Sequence, residues 1–252
     1  MKAFYAPHPH FRLPSNMDAK IWRYCDLGKL VTILERKALY FPSADTLADA
    51  YEGLFTLPVV TKLASRPETQ RQIPFSRELK KDMFLNSWHM NEYESGAMWK
   101  VFTTAEGGIA IQSTVGRLIA SFPPLPVPVE RASIDKFPQV YISTVEYFDY
   151  DTDNIDTGNI FLPYLAKQKY FDYERELRAV LWRPKPIPSE SNSPGEYVDT
   201  NLETLTENLY VSPSAPEYYL DAVIAVCKKY EIATLVKQSE AGTKPRYYGE
   251  NA

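Results

Sequence analysis

Residues 171–180 read Phe-Asp-Tyr-Glu-Arg-Glu-Leu-Arg-Ala-Val and are the most informative part of the chain. Side chains point to alternate faces of a strand, so Glu174, Glu176 and Arg178 share one face and the apolar side chains between them occupy the other. One face is therefore charged and the other resembles a protein core. The pattern predicts a half-buried strand over residues 173–182.

Short strands and helices are predicted on both sides of this stretch. Strands interrupted by helices favour an α+β fold with short mixed or antiparallel strands over a regular parallel sheet. The other predicted strands are residues 21–24, 39–41, 83–85, 109–111, 140–148, 210–211 and 233–237. The predicted helices are residues 27–34, 77–82, 95–102, 115–121, 160–171 and 215–230.

The chain is expected to form one α+β domain over residues 21–240, with an N-terminal arm at 1–20 and a C-terminal tail at 241–252. The arm is expected to be flexible because it is rich in proline. Residues 56–76 are predicted to be a surface excursion, and the polar segment that follows the strand at 173–182 is predicted to be a loop.

Composition restricts the class of protein. The 252 residues are 44% hydrophobic and carry a formal net charge of -4, which lacks the basic excess of a general nucleic-acid binder. No run approaches 18 apolar residues, and no signal peptide is recognisable, so we expect no membrane segment and a cytoplasmic location. Cys25 and Cys227 are expected to be reduced and buried, without a structural zinc site.

Several polar residues are candidates for chemistry. Trp22-Arg23-Tyr24 places a cation between two aromatic rings, which suits a phosphate and a flat ring; the alternative is a strand whose aromatics face the core. His89 follows a predicted strand and could act as a general acid or base. The charged face at Glu174 and Glu176 is either a solvated surface with ion pairs or the wall of a cleft.

Two further groups have open interpretations. Asp45, Asp49 and Glu52 follow the strand at 39–41 and either line a site or belong to a solvated loop. His8 and His10 either bind a metal or lie in an unliganded arm. Neither a phosphate loop nor a nucleophile elbow is present in the sequence.

Short signatures in a fixed order resemble an uncharacterised bacterial domain family over about residues 20–240. The signatures are Trp22-Arg23-Tyr24, Leu39-Tyr40-Phe41 with Asp49 to Gly53, Met98-Trp99, Gly108-Ile109-Ala110-Ile111, Phe171 with Glu174, Glu176 and Arg178, and Val211-Ser212-Pro213. That family is in turn similar to ADP-ribosyltransferases, which surround NAD with three motifs. The matching positions here are Trp22 with Arg23, then Ser87, then the pair Glu174 and Glu176.

The resemblance implies an NAD-dependent ADP-ribosyltransferase or NAD glycohydrolase, the toxic effector of a bacterial conflict or phage-defence system. NAD would be the substrate, no metal would be needed, and the partners would be a nucleotide and a macromolecular acceptor or partner protein. In this scheme Glu176 stabilises positive charge on the ribose and Glu174 activates the acceptor. The implied NAD-binding residues are Arg23, Tyr24, Ser87, Trp99 and Arg178.

Two other functions remain open from the sequence. One is a non-catalytic sensor domain that binds a nucleotide or a protein in the same cleft. The other is a metal-dependent nuclease that uses Asp49, Glu52, Glu174 and Glu176 around a divalent cation.

Overall fold

Short strands and short helices make up the chain in a computed structural model, which describes residues 1–104, 107–128, 133, 136–184, 194–232 and 234–241. The strands are β1 Phe4–Tyr5, β2 Lys20–Cys25, β3 Ala38–Pro42, β4 Met83–Met90, β5 Ile109–Thr114, β6 Gln139–Thr144, β7 Glu146–Phe148, β8 Ala166–Gln168, β9 Glu176–Trp182, β10 Gly195–Asp199, β11 Asn208–Val211 and β12 Leu235–Gln238. The α-helices are α1 Leu27–Arg36, α2 Leu57–Ala64, α3 Gln72–Leu79, α4 Gly96–Phe102, α5 Val115–Ala120, α6 Leu202–Leu205 and α7 Glu217–Lys229. Further 3₁₀ turns cover Ala44–Thr46, Leu162–Tyr164 and Lys169–Glu174.

An open mixed sheet of eight strands forms the centre of the molecule, in the order β1-β6-β9-β4-β2-β5-β11-β12. The two outermost pairs, β1 with β6 and β11 with β12, are parallel, and the inner neighbours are antiparallel. Two small ribbons, β3 with β10 and β7 with β8, flank this sheet. The predicted α+β class and single domain are thus confirmed.

Strand alternation divides the central sheet into an apolar face and a polar one. In β4 and β9, the side chains of Phe84, Trp88, Leu177 and Ala179 enter the main core, where helices α1, α5 and α7 also pack. Helix α1 starts where Asp26 accepts a hydrogen bond from the Lys29 amide, as its sequence predicts. Ser87 and His89 of β4 and Glu176 and Arg178 of β9 face the other side of the sheet, where the candidate site lies.

The sheet splits between β2 and β4. These strands pair at two positions, Ile21 with Met90 and Trp22 with His89, although both strands continue well beyond them. Past this point β2 stays with β5 as far as Cys25, and β4 stays with β9. The two halves of the sheet therefore diverge and leave a cleft between them.

The ends of the chain differ from the prediction. Residues 1–20 are not a separate arm, because β1 pairs with β6 and the side chains of Ala3 and Ala6 are fully buried. The prolines only prevent longer strand pairing. Most of the predicted tail, residues 242–252, lies outside the described residues.

Several internal elements also differ from the prediction. Residues 160–171 are not a helix, because 3₁₀ turns and β8 occupy this segment, and Pro163 lacks the amide that a continuous helix needs. The segment at 56–76 contains α2 and the start of α3, and the polar residues of β10 pair with β3. Within the described residues, no helix has both the length and the apolar character required to span a bilayer.

Candidate functional site

A cleft of about 1030 Å³ occupies the split between β2 and β4. Its walls come from β2, the start of α1, the loop after β3, β4, the end of α4, β8 and the turn before β9. The polar residues that line it include Arg23, Lys29, Asp49, Glu52, Ser87, His89, Lys167, Glu174, Glu176 and Arg178. The structure therefore brings Arg23 and Glu176 to one cleft, although they are 153 positions apart in the sequence.

Arg178 organises the acidic wall of the cleft. Its Nε and Nη2 atoms donate to the two carboxylate oxygens of Glu176 at 2.7 and 2.9 Å. Its Nη1 atom donates to Glu52 Oε1 and to the Tyr164 carbonyl, both at 2.6 Å. Arg178 is 1% exposed and makes four hydrogen bonds within the protein. Its side chain therefore positions Glu176, and Arg178 also lines the cleft, where its predicted contact with a cofactor stays a prediction.

Glu176 is held as an anion. Burial alone would raise its pKa, but the Arg178 and Lys167 cations, with hydrogen bonds from Arg178 and the Ser87 hydroxyl, outweigh burial and lower that pKa below its ordinary value. Tyr147 fixes the strand at this point, because its hydroxyl accepts the Glu176 amide at 2.8 Å. The carboxylate is thus charged, oriented and 3% exposed at the wall of the cleft.

Glu174 lies outside the strand that the sequence predicts for it. It ends the 3₁₀ turn Lys169–Glu174, and Arg175 then adopts a left-handed φ of 41° before β9 begins. The Glu174 side chain still reaches the cleft, where its carboxylate pairs with Lys167 Nζ at 2.5 Å. Burial raises the pKa of Glu174, and Lys167 opposes this shift only in part.

The opposite wall comes from β2. Arg23 Nη1 donates to the carbonyl of Ser87 at 2.8 Å and thereby spans the two diverging strands. Tyr24 also lines the cleft, and its hydroxyl accepts the Ser95 amide at 2.8 Å. Lys29, on the first turn of α1, adds a second cation to this wall.

Trp99 packs behind Tyr24 instead of facing the cleft. The two rings meet edge to face with centroids 5.0 Å apart, the indole donates to Glu94, and Trp99 is 5% exposed. Trp99, which the resemblance implies as an NAD-binding residue, is therefore absent from the lining of the cleft and contacts Tyr24 from behind.

Ser87 and His89 project from β4 between the two walls. Ser87 lies opposite Arg178 and His89 opposite Glu176 in the pairing of β4 with β9, so all four side chains share the cleft face. Ser87 is exposed within the cleft, whereas His89 is buried. His89 Nδ1 lies 2.6 Å from the carbonyl oxygen of Glu174.

Sequence reasoning did not identify Lys167 or Tyr147, and it left Glu52 open between a site and a solvated loop. Lys167 and Tyr147 have no sequence motif, because their roles depend on contacts with the β9 carboxylates. The acidic loop at 45–52 contributes Glu52 to the site, because Glu52 is 2% exposed and binds Arg178.

Three of the four carboxylates of the nuclease hypothesis are already paired, whereas Asp49 has a buried Oδ2 atom with no hydrogen-bond partner among the described residues. Arg178 holds Glu52 and Glu176, and Lys167 holds Glu174. A divalent cation would have to displace these charged side chains before it could bind the same oxygens. The two cysteines, in agreement with the prediction, are free and buried.

The sequence matches no protein-family model, and no curated protein is significantly similar to it. The function of this protein is therefore inferred from the geometry of the cleft and from the motifs of the sequence.

Proposed function

We propose that this protein cleaves NAD in the manner of an ADP-ribosyltransferase or NAD glycohydrolase, with the cleft between β2 and β4 as its active site. The observation that carries the proposal is the split of the sheet. It places Arg23 and Tyr24 on one wall and the oriented Glu176 carboxylate on the other.

The dimensions and charges of the cleft suit a dinucleotide. Its volume of about 1030 Å³ lies at the top of the roughly 300–1,000 Å³ range of small-molecule sites. Arg23 and Lys29 provide cations for the diphosphate, and Tyr24 provides a flat ring. Ser87 offers an exposed hydroxyl between them.

Glu176 supports the chemical step. When the bond between the ribose C1′ and the nicotinamide nitrogen breaks, nicotinamide leaves with the bonding electron pair and positive charge develops on the ribose. A carboxylate fixed near the ribose stabilises that charge as it forms. The two hydrogen bonds from Arg178 keep the Glu176 carboxylate ionised and in one orientation, so the site reorganises little during the step.

The ion pair of Glu174 changes the role that the resemblance implies for it. Its contact with Lys167 at 2.5 Å ties up the carboxylate. We therefore assign Glu174 and Lys167 to the electrostatic support of Glu176, since Lys167 Nζ also lies 3.6 Å from Glu176 Oε2.

The first experiment measures nicotinamide release from NAD by wild-type protein and by Glu176→Gln, with chelator present throughout. We expect turnover in the wild type and a fall on the order of 10²–10³-fold in the variant, because the amide cannot balance the ribose charge. Glu68→Gln is the control, since Glu68 is exposed on the turn after α2.

Three other results would contradict the proposal. Equal release by wild type and Glu176→Gln would remove Glu176 from the chemistry. NAD binding by calorimetry without release would favour a sensor domain. Nucleic-acid cleavage that chelator abolishes would favour the nuclease.

If the wild type cleaves NAD, arrest of bacterial growth on expression tests the role as a toxic or phage-defence effector.

A further inference from the structure

His89 contains a buried nitrogen atom with no hydrogen-bond partner. The ring is 7% exposed, lines the cleft, and leaves Nε2 unpaired within the described part of the chain. A buried polar atom without a hydrogen-bond partner destabilises the folded protein. Such an atom on the wall of a ligand-sized cleft suggests a partner that arrives with the substrate.

The contact of the other ring nitrogen determines the tautomer. His89 Nδ1 is 2.6 Å from the Glu174 carbonyl oxygen, and a carbonyl only accepts hydrogen bonds, so Nδ1 carries the proton. In the neutral ring Nε2 then has a free lone pair. This is the form that a general base requires before reaction.

The position of His89 places this lone pair beside the reacting centre of the proposed function. His89 lies directly opposite Glu176 in the register of β4 and β9, and such pairs have Cα atoms about 4.5–5.5 Å apart. Glu174, the other candidate base, is paired with Lys167. His89 is therefore the better-placed proton acceptor.

We infer that the second substrate is water and that His89 Nε2 takes the proton from this water, so that the protein hydrolyses NAD to ADP-ribose. This inference rests on the proposed function. In the step, a water oxygen forms a bond to C1′ as the bond to nicotinamide breaks, nicotinamide leaves with the bonding electrons, and one water proton passes to Nε2. The imidazolium then releases this proton to solvent.

The depth of the site favours water over a macromolecular acceptor. His89 pairs with Trp22 at the closed end of the cleft, beyond which β2 and β4 separate. Trp22 is 2% exposed and His89 is 7% exposed, so little surface at this end of the cleft is open to the side chain of a bulky partner.

The surroundings keep His89 neutral. The adjoining segments carry several charged residues, which include Arg23 on β2, Glu176 and Arg178 on β9, and Glu174 and Arg175 in the preceding turn. Burial is the main cause that lowers the His89 pKa, the hydrogen bond to Glu174 partly opposes it, and Arg175 lowers it further.

The test uses His89→Asn, because the Asn amide can still donate to the Glu174 carbonyl but cannot take a proton. We expect wild type to form one ADP-ribose per nicotinamide. In the variant, kcat should fall about 10²–10⁴-fold with little change in the KM for NAD. The decrease of kcat/KM at acidic pH that the wild type shows should be absent from the variant. His10→Asn is the control, since His10 is exposed.

Two further readouts separate catalysis from folding. His89→Ala should regain activity when imidazole is added, which a purely structural defect would not allow. The chain has 3 histidines, so ¹⁵N NMR resolves His89 and should show the proton on Nδ1.

Each outcome separates the two proposals. If the wild type releases nicotinamide, three results would overturn the inference and leave NAD cleavage intact. They are an unchanged kcat in His89→Asn, a proton on Nε2 of His89, and ADP-ribose attached to a protein. Absence of release from the wild type would overturn NAD cleavage, and the role of His89 with it.

Discussion

At the residue scale, Arg178 is the side chain on which the acidic wall depends. Its guanidinium satisfies Glu52 and both oxygens of Glu176, and it also binds the carbonyl of Tyr164. These contacts join three separate segments of the chain. The buried Arg178 cation compensates both carboxylates, although burial and the nearby Glu176 raise the pKa of Glu52.

Arg178→Met should therefore destabilise the protein by about 3–5 kcal/mol, since it leaves Glu52 and Glu176 buried without their cation. Arg183→Met is the matched control. Arg183 also pairs with a glutamate, Glu196, at 2.6 Å, but its side chain is 44% exposed, and the expected cost is below about 1 kcal/mol. Urea denaturation measures both values, and equal costs would contradict a central role for Arg178.

At the element scale, the loop between β3 and α2 delivers Glu52 to the cleft, and Gly53 shapes that loop. Gly53 has a φ of 69°, and a Cβ atom there would lie 2.4 Å from the ring of Tyr164. The carbonyl of the same tyrosine binds Arg178. The close approach of this glycine to Tyr164 therefore helps to place both acceptors of Arg178 Nη1.

Gly53→Ala should lower the free energy of unfolding by at least about 1–2 kcal/mol, the cost of a left-handed residue with a Cβ atom. It should also reduce nicotinamide release, because the loop must shift and move Glu52. Gly96→Ala, at the start of α4, provides the opposite control: a Cβ atom there meets nothing within 4 Å. That substitution should leave stability unchanged or raise it by up to about 1 kcal/mol. Equal thermal melting of the two variants would argue against this account.

At the scale of the whole molecule, acid should weaken the fold partly through His89. The pKa of His89 is lower in the folded state than in the unfolded state. Its contribution to stability is therefore complete above the ordinary pKa near 6.5, and it is lost as the pH falls through the pKa of the folded state. His89→Asn should lack this loss. Urea denaturation between pH 7 and 5 should therefore show a shallower pH dependence in the variant, and parallel curves would contradict the shift.

Local sequence patterns predicted the elements whose cause is local. Asp26 caps α1 with its side chain, as expected from the sequence, and α4 begins next to Ser95, where the sequence predicted a helix to start. The alternation of charged and apolar residues in β9 also matches the structure from Glu176 onward. Tertiary pairing explains the misses: polar β10 forms on β3, and Arg175 interrupts the predicted strand with a left-handed turn.

The sequence by itself determined the α+β class, the apolar and charged faces of β9, and the presence of Arg23 and Glu176 as candidate residues. Only the tertiary structure decided that β2 leaves β4, that both residues line the resulting cleft, and that Arg178 supports Glu176. The physical reason is distance along the chain. Side-chain alternation depends on neighbouring residues, whereas the Arg178–Glu52 contact joins positions 126 residues apart and forms only when the whole sheet has folded.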